Sequence, residues 1–173
     1  MQCVRAVIRG VVEMRILGID PGSIRCGWAI LDDDRLVAHS TICNDREFYH
    51  ERAAHIISVI ESVVDQYNVT DIACERAFRN PHRNTAALQV VVQAIKSWAK
   101  LHKYPLGLYS PGEWKKSVLG NGQATKEEVQ AAIGLYFPGM KGQEHEFDAA
   151  GIALHHQGIM RLDKMTRGGE KCR

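Results

Sequence analysis

Residues 15–31 read RILGIDPGSIRCGWAIL: an apolar run that closes on an aspartate, a Pro-Gly turn at 21–22, and a second apolar run. Both runs have the length and β-branched character of strands, and Pro21-Gly22 is the chemistry of a turn between them. Asp20 is the anomaly. A carboxylate withdrawn from water costs several kcal/mol unless it is paired or binds a cation. The rest of the chain is therefore read for its partner.

Working outward, Arg15–Asp20 and Cys26–Leu31 are predicted as two strands, with Leu36–Ile42 as a third beyond the acidic tip Asp32-Asp33-Asp34, which reads as a solvated hairpin turn. Helical spacing over 48–67 places Ala53, Ile56, Ile57, Ile60, Val63 and Val64 on one face. Val69–Cys74 follows as a short buried strand with Glu75 at its end. A polar loop, 76–83, leads to a helix over 84–102 with Leu88, Val91, Val92, Ile95 and Trp98 on its apolar side, and Leu106–Tyr109 is the last strand. Ser110 with Glu113, and Thr125 with Glu128, have the spacing of capping boxes and predict two further helix starts, the second helix ending at Pro138-Gly139. A final helix is expected over about 144–160. Strands first as a meander and then alternating with helices indicate an α/β domain: a mixed five-stranded sheet with helices on both faces.

The 173 residues, 45% of them hydrophobic, suffice for one sizeable core. The expected division is an N-terminal extension over 1–14, with Met14 a candidate natural start, a domain over 15–160, and a frayed basic tail over 161–173. Five scattered cysteines without a C-x-x-C pair indicate neither a disulfide framework nor a zinc site, and read as reduced thiols of a cytoplasmic protein. No run approaches the roughly 20 apolar residues of a membrane span. Arginines interrupt the apolar residues of the extension, unlike a secretory signal; organelle targeting by it stays open. Net charge is only +2, but from Arg76 through Gly112 there is no Asp or Glu, while Arg76, Arg79, Arg83, Lys96, Lys100 and Lys103 all fall there. Such a segment suits a surface that meets phosphates, and equally a solvated helix face.

Asp20 and Glu75 both end predicted strands, so parallel neighbours would point both into one crevice. His145 and Asp148 lie three positions apart on the last predicted helix, on one face, ahead of the small-residue run Ala149-Ala150-Gly151. An ordinary first-turn carboxylate favoured by the helix dipole is the plainer account of Asp148. Three carboxylates in one cleft cannot all stay ionised without compensation. Divalent Mg²⁺ or Mn²⁺ is the simplest remedy, and two ions would clamp the attacking and leaving oxygens of a phosphodiester displacement. The residues alone thus suggest a metal-dependent nuclease.

The set ILGIDPG (16–22), CERAF (74–78), GNGQATK (120–126) with EVQ (128–130), and HEFDAAGIAL (145–154) resembles the RuvC-type Holliday-junction resolvases of the RNase H-like superfamily, in order and spacing, from about Arg15 to His156. The resemblance implies an endonuclease that resolves four-way DNA junctions by paired hydrolysis. Asp20, Glu75, Asp148 and His145 would hold two Mg²⁺ or Mn²⁺ ions, His145 standing where many relatives carry aspartate, with Glu144 its competitor and Glu146 turned elsewhere. Lys115 and Lys126 would approach the scissile phosphate, and Phe78 would stack on unpaired bases between Arg76 and Arg79, with Arg83 nearby. Paired nicks imply a homodimer, with its face on the 84–102 helix, and the resemblance leaves room for a branch-migration helicase. The rivals are a less selective branched-DNA or flap nuclease, a junction binder without catalysis, and an actin-like ATPase, for which a second phosphate-binding loop is lacking.

Overall fold

The run that ends on Asp20 forms β1 (Arg15–Asp20), the central strand of the sheet. The computed structural model describes residues 14–77 and 86–169. β2 (Arg25–Asp32) and β3 (Arg35–Cys43) continue from β1 as an antiparallel meander. β4 (Asp71–Glu75) pairs parallel with the other side of β1, and β5 (Leu106–Tyr109) pairs parallel with β4. The spatial order is β3-β2-β1-β4-β5, the mixed five-stranded sheet expected from the sequence.

Strand alternation divides the core in two. Leu17 and Ile19 of β1 pack with α1 (Tyr49–Tyr67) and α2 (Ala86–Leu101) on one face of the sheet. Ile16 points to the other, into a core shared with α3 (Pro111–Leu119), α4 (Lys126–Tyr136) and α5 (Glu144–Gly169). By the same alternation Gly18 and Asp20 face this second layer, beneath α5.

Local chemistry accounts for most boundaries. Both capping boxes form as the sequence indicates, Ser110 with Glu113 and Thr125 with Glu128. Asn68 takes the left-handed conformation that ends α1, one that asparagine tolerates better than most residues. Asp33 takes it in the hairpin of the acidic tip, and Arg161 pairs with Asp34 there at 2.9 Å. Among the described residues two boundaries differ from expectation by more than one residue. β4 starts at Asp71 rather than Val69, because the Val69 amide is still bonded to the Val64 carbonyl at the end of α1. The last helix continues past Met160 to Gly169, with no proline or glycine to stop it between Arg161 and Arg167. The 1–13 extension and Cys3 and Cys172 lie outside the described residues; Cys26, Cys43 and Cys74 are free thiols.

Candidate active site

Two glycines let α5 lie directly on the sheet. A Cβ on Gly18 would collide with the backbone carbonyl of Ala149, and one on Gly27 with that of His145. With Asp20 paired opposite Gly27 on β2, this contact delivers the first turn of α5 onto the end of β1. The parallel β1–β4 register runs through Ile19 and Cys74, so Glu75 ends β4 beside Asp20 and, two residues past Ala73, faces the same layer. Asp20, Glu75, His145 and Asp148 are thus gathered at one end of the sheet, as their positions in the sequence suggested.

The cluster is electrostatically crowded. Burial pushes the Asp20 carboxyl upward, the residue being only 9% exposed. Burial and then the Asp20 charge push Glu75 up to about 7, and the same two causes in the same order bring Asp148 to about 7. His145 Nδ1 donates to Asp20 Oδ2 at 2.6 Å, and that bond holds the imidazole above its ordinary value, favouring the protonated ring. Two neighbouring carboxyls that titrate near neutrality are poor company for an ionised third, and a divalent cation would relieve that crowding.

Lys115 stands among these groups. Its ammonium donates to the Ala124 carbonyl at 3.0 Å and acts electrostatically on Asp20, Glu75 and Asp148, lowering all three. Lys126 occupies the first turn of α4, where the helix dipole disfavours a cation; the structure supplies its reason. Its Nζ pairs with Glu144 at 2.7 Å, which raises the lysine and lowers the glutamate. Glu144 is therefore engaged at the rim, 3.6 Å from His145 Nε2. Glu146 does turn elsewhere: it is buried, accepts from Thr41 Oγ1 at 3.0 Å and from the Gln143 amide at 3.2 Å, and bonds to His39. It clasps the start of α5 to β3.

Arg76 directs its guanidinium to the Leu108 carbonyl at 3.1 Å, with Glu113 at 3.9 Å. Phe78, Arg79 and Arg83 lie outside the described residues. One participant escaped the sequence reading. Trp114 of α3, fully buried, donates its indole N–H to Glu75 Oε2 at 2.9 Å. Only its place two residues before Lys116, in a helix otherwise poor in apolar residues, could have drawn attention to it.

The donor set fits a hard divalent ion: three carboxylates, two of them raised to about 7 by burial and then by the Asp20 charge, with an imidazole at hand. As the side chains stand, no three His, Cys, Asp or Glu groups among the described residues close on a single point, and His145 is bonded to one of the two Asp20 oxygens.

Comparison with known proteins identifies the family and the fold. The family model described as crossover junction endodeoxyribonuclease RuvC matches residues 16–156. Curated relatives of that description include one from Maricaulis maris, 32% identical over 151 residues covering 84% of this chain and 91% of the relative, and one from Ruegeria pomeroyi, 35% identical over 151 residues covering 83% and 90%. Among solved structures, Thermus thermophilus RuvC in complex with a Holliday junction substrate superposes with a TM-score of 0.76 at 25% identity, covering 87% of this chain and 96% of that one. A yeast mitochondrial Holliday junction resolvase shares the fold at a TM-score of 0.58 and 19% identity, over 86% and 80% of the two chains.

Proposed function

Because the chain belongs to the RuvC family of crossover junction endodeoxyribonucleases, we propose that Asp20, Glu75, Asp148 and His145 are its catalytic centre, with Lys115 and Lys126 beside them. The enzyme is a structure-selective endodeoxyribonuclease of DNA recombination and repair that resolves four-way junctions, and its family depends on divalent metal. The observation that carries the residue assignment is the meeting of Asp20, Glu75 and Asp148 at one sheet end, two of them held near 7.

Hard oxygen donors favour Mg²⁺, with Mn²⁺ the close alternative, and the number of carboxylates suits two ions. When bound, the ions neutralise the three carboxylates and help a water become a nucleophile at neutral pH. The chain's own groups do the rest. Asp20, Glu75 and Asp148 offer oxygens on one side of the cleft. His145 would give up its bond to Asp20, lose that ring proton to solvent and turn the freed nitrogen toward the cleft. Lys115, tethered at the Ala124 carbonyl, sets a positive charge where negative charge builds on the phosphate during in-line attack by water. Lys126 adds a second once Glu144 releases it.

The DNA-binding residues we assign are Arg76, Phe78, Arg79 and Arg83, whose stretch of sequence follows Glu75 directly and carries positive charge without an acid. Phe78 would stack on a base at the junction centre, a contact worth roughly 1–3 kcal/mol. Paired nicks call for two active sites, hence a homodimer. The outer face of α2 supports that assignment: Ala86, Gln89, Val90, Gln93, Ala94 and Ser97 line an open depression of about 470 Å³. The catalytic unit is residues 15–160, a branch-migration helicase is the proposed partner, and the site of action is the nucleoid in the cytoplasm. No helix of the described residues is long and apolar enough to cross a membrane.

The test is cleavage of a labelled four-way junction in Mg²⁺ or Mn²⁺ by the native chain and by Asp20→Asn. Symmetric nicks in opposing strands, lost in the variant while junction binding persists, are expected. Binding without nicking in either metal would overturn the catalytic assignment, and equal cutting of flaps would overturn the selectivity.

A further inference from the structure

Glu75 is a flexible side chain at the very end of a strand, and nothing in β4 itself fixes where its carboxylate points. The indole N–H of Trp114 does so from α3, at 2.9 Å from Oε2. We infer that Trp114 is a positioning residue for Glu75: it engages one carboxylate oxygen so that the other is presented to the divalent cation, an inference that rests on the metal-site reading above.

Two features separate this contact from ordinary core packing. The ring is fully buried, so its N–H needs a partner, and the partner it has is a carboxylate rather than a backbone carbonyl. The ring's position is also fixed from outside. Gly151 of α5 leaves room for it, since a Cβ there would stand 2.6 Å from Trp114 Cζ3, and Ile133 of α4 closes the same pocket. Trp114 therefore touches the helix that carries His145 and Asp148, sits next to Lys115 in sequence, and bonds to Glu75. One rigid ring ties together three of the elements that supply the site: β4, α3 and α5.

The experiment measures Mn²⁺ binding to DNA-free protein by calorimetry, alongside the Mn²⁺ dependence of junction cleavage. Trp114→Phe removes the N–H and keeps an aromatic ring. Losing a hydrogen-bonded support of a metal ligand weakens metal affinity by about 10–100-fold. The expected result is a rise of that size in the Mn²⁺ dissociation constant and in the half-saturating Mn²⁺ for cleavage, with the rate recovering at saturating Mn²⁺. Ile133→Val loosens the same pocket without touching the N–H; it should lower the melting temperature and leave the Mn²⁺ midpoint alone. If Trp114→Phe does not fold, a benzothienylalanine at 114, with sulfur in place of the N–H, preserves the shape and must give the same shift. A Mn²⁺ midpoint within twofold of native, or the same shift in Ile133→Val, overturns the inference. Asp20→Asn separates this outcome from failure of the metal-site reading: if native protein and Asp20→Asn bind Mn²⁺ alike, the metal site itself is misassigned.

Discussion

Gly27 of β2 lies directly under the backbone carbonyl of His145, so close that any side chain at 27 would overlap that oxygen. The obstacle is helix backbone, which cannot swing aside as a flexible side chain would. Gly18 stands in the same relation to Ala149, one turn further along α5. The distance between helix and sheet is thus set by two missing Cβ atoms, and with it the position of His145 and Asp148 over Asp20.

Gly27→Ala should therefore lift the first turn of α5. Overpacking of this kind costs about 1–3 kcal/mol, and a displacement of even 1 Å in a catalytic group can lower turnover about 10²-fold. We expect a reduced urea midpoint and a loss of cleavage larger than the stability change explains. Native cleavage by Gly27→Ala would mean that α5 is not held where the site needs it.

The metal-free protein should become less stable as pH rises. Asp148 has an ordinary value of 3.8 and a folded value of about 7. Between these the folded state keeps a proton that the unfolded state has released. Stability is full below about 4 and is lost as pH climbs through about 7. Glu75 acts with the same sign from 4.5 to about 7. Asp148→Asn removes the penalty, so it should raise the melting temperature at pH 8 in chelator and change it little at pH 4, while abolishing cleavage. Added Mg²⁺ should stabilise the native chain at pH 8 and Asp148→Asn much less. A variant no more stable than native at pH 8 would refute this account.

His155 acts in the opposite sense. It is buried against the edge of Tyr109 with both ring nitrogens unpartnered, and burial holds it below its ordinary value of 6.5. His156, bonded to Tyr109 at 2.6 Å, is lowered for the same reason. For a base with a depressed folded value the unfolded state binds the extra proton, so stability is present above about 6.5 and falls as pH drops from there to the folded value. His155→Phe keeps the ring contact and discards two unsatisfied nitrogens. Guanidinium melts should show it more stable than native, with a shallower decline below pH 6.5.

Much of this site could be read before folding was considered. Asp20 stood out as a charge in an apolar run, and Glu75 as an acid at a strand end. The capping boxes at Ser110 and Thr125 were visible because capping is local, decided within four residues. What stayed hidden depends on contacts across the sheet. The Trp114–Glu75 bond spans 39 positions, and no periodicity announces it. Lys126 looked misplaced at a helix start because its partner Glu144 is 18 positions away. Glycines 18 and 27 carry no such signal in the sequence, because their function, to let a helix approach, exists only once α5 lies on the sheet. The continuation of α5 to Gly169 escaped notice because the tail's polar composition suggested fraying, whereas nothing in it breaks a helix before Gly168.

Lys115 provides the sharpest test of the electrostatics. Its ammonium lowers Asp20, Glu75 and Asp148 together, opposing the burial that raises them. Lys115→Met keeps the length of the aliphatic stem and deletes the charge. Without that charge each carboxyl holds its proton to higher pH, so the acid limb of the pH–rate profile should move upward. The lost stabilisation of negative charge at the phosphate should lower the single-turnover rate by about 10²–10³-fold. Junction affinity in Ca²⁺ should change little, because one charge among many phosphate contacts contributes modestly to binding. A slower enzyme whose acid limb stays in place would show that Lys115 serves the phosphate alone. An unchanged rate would remove it from the site.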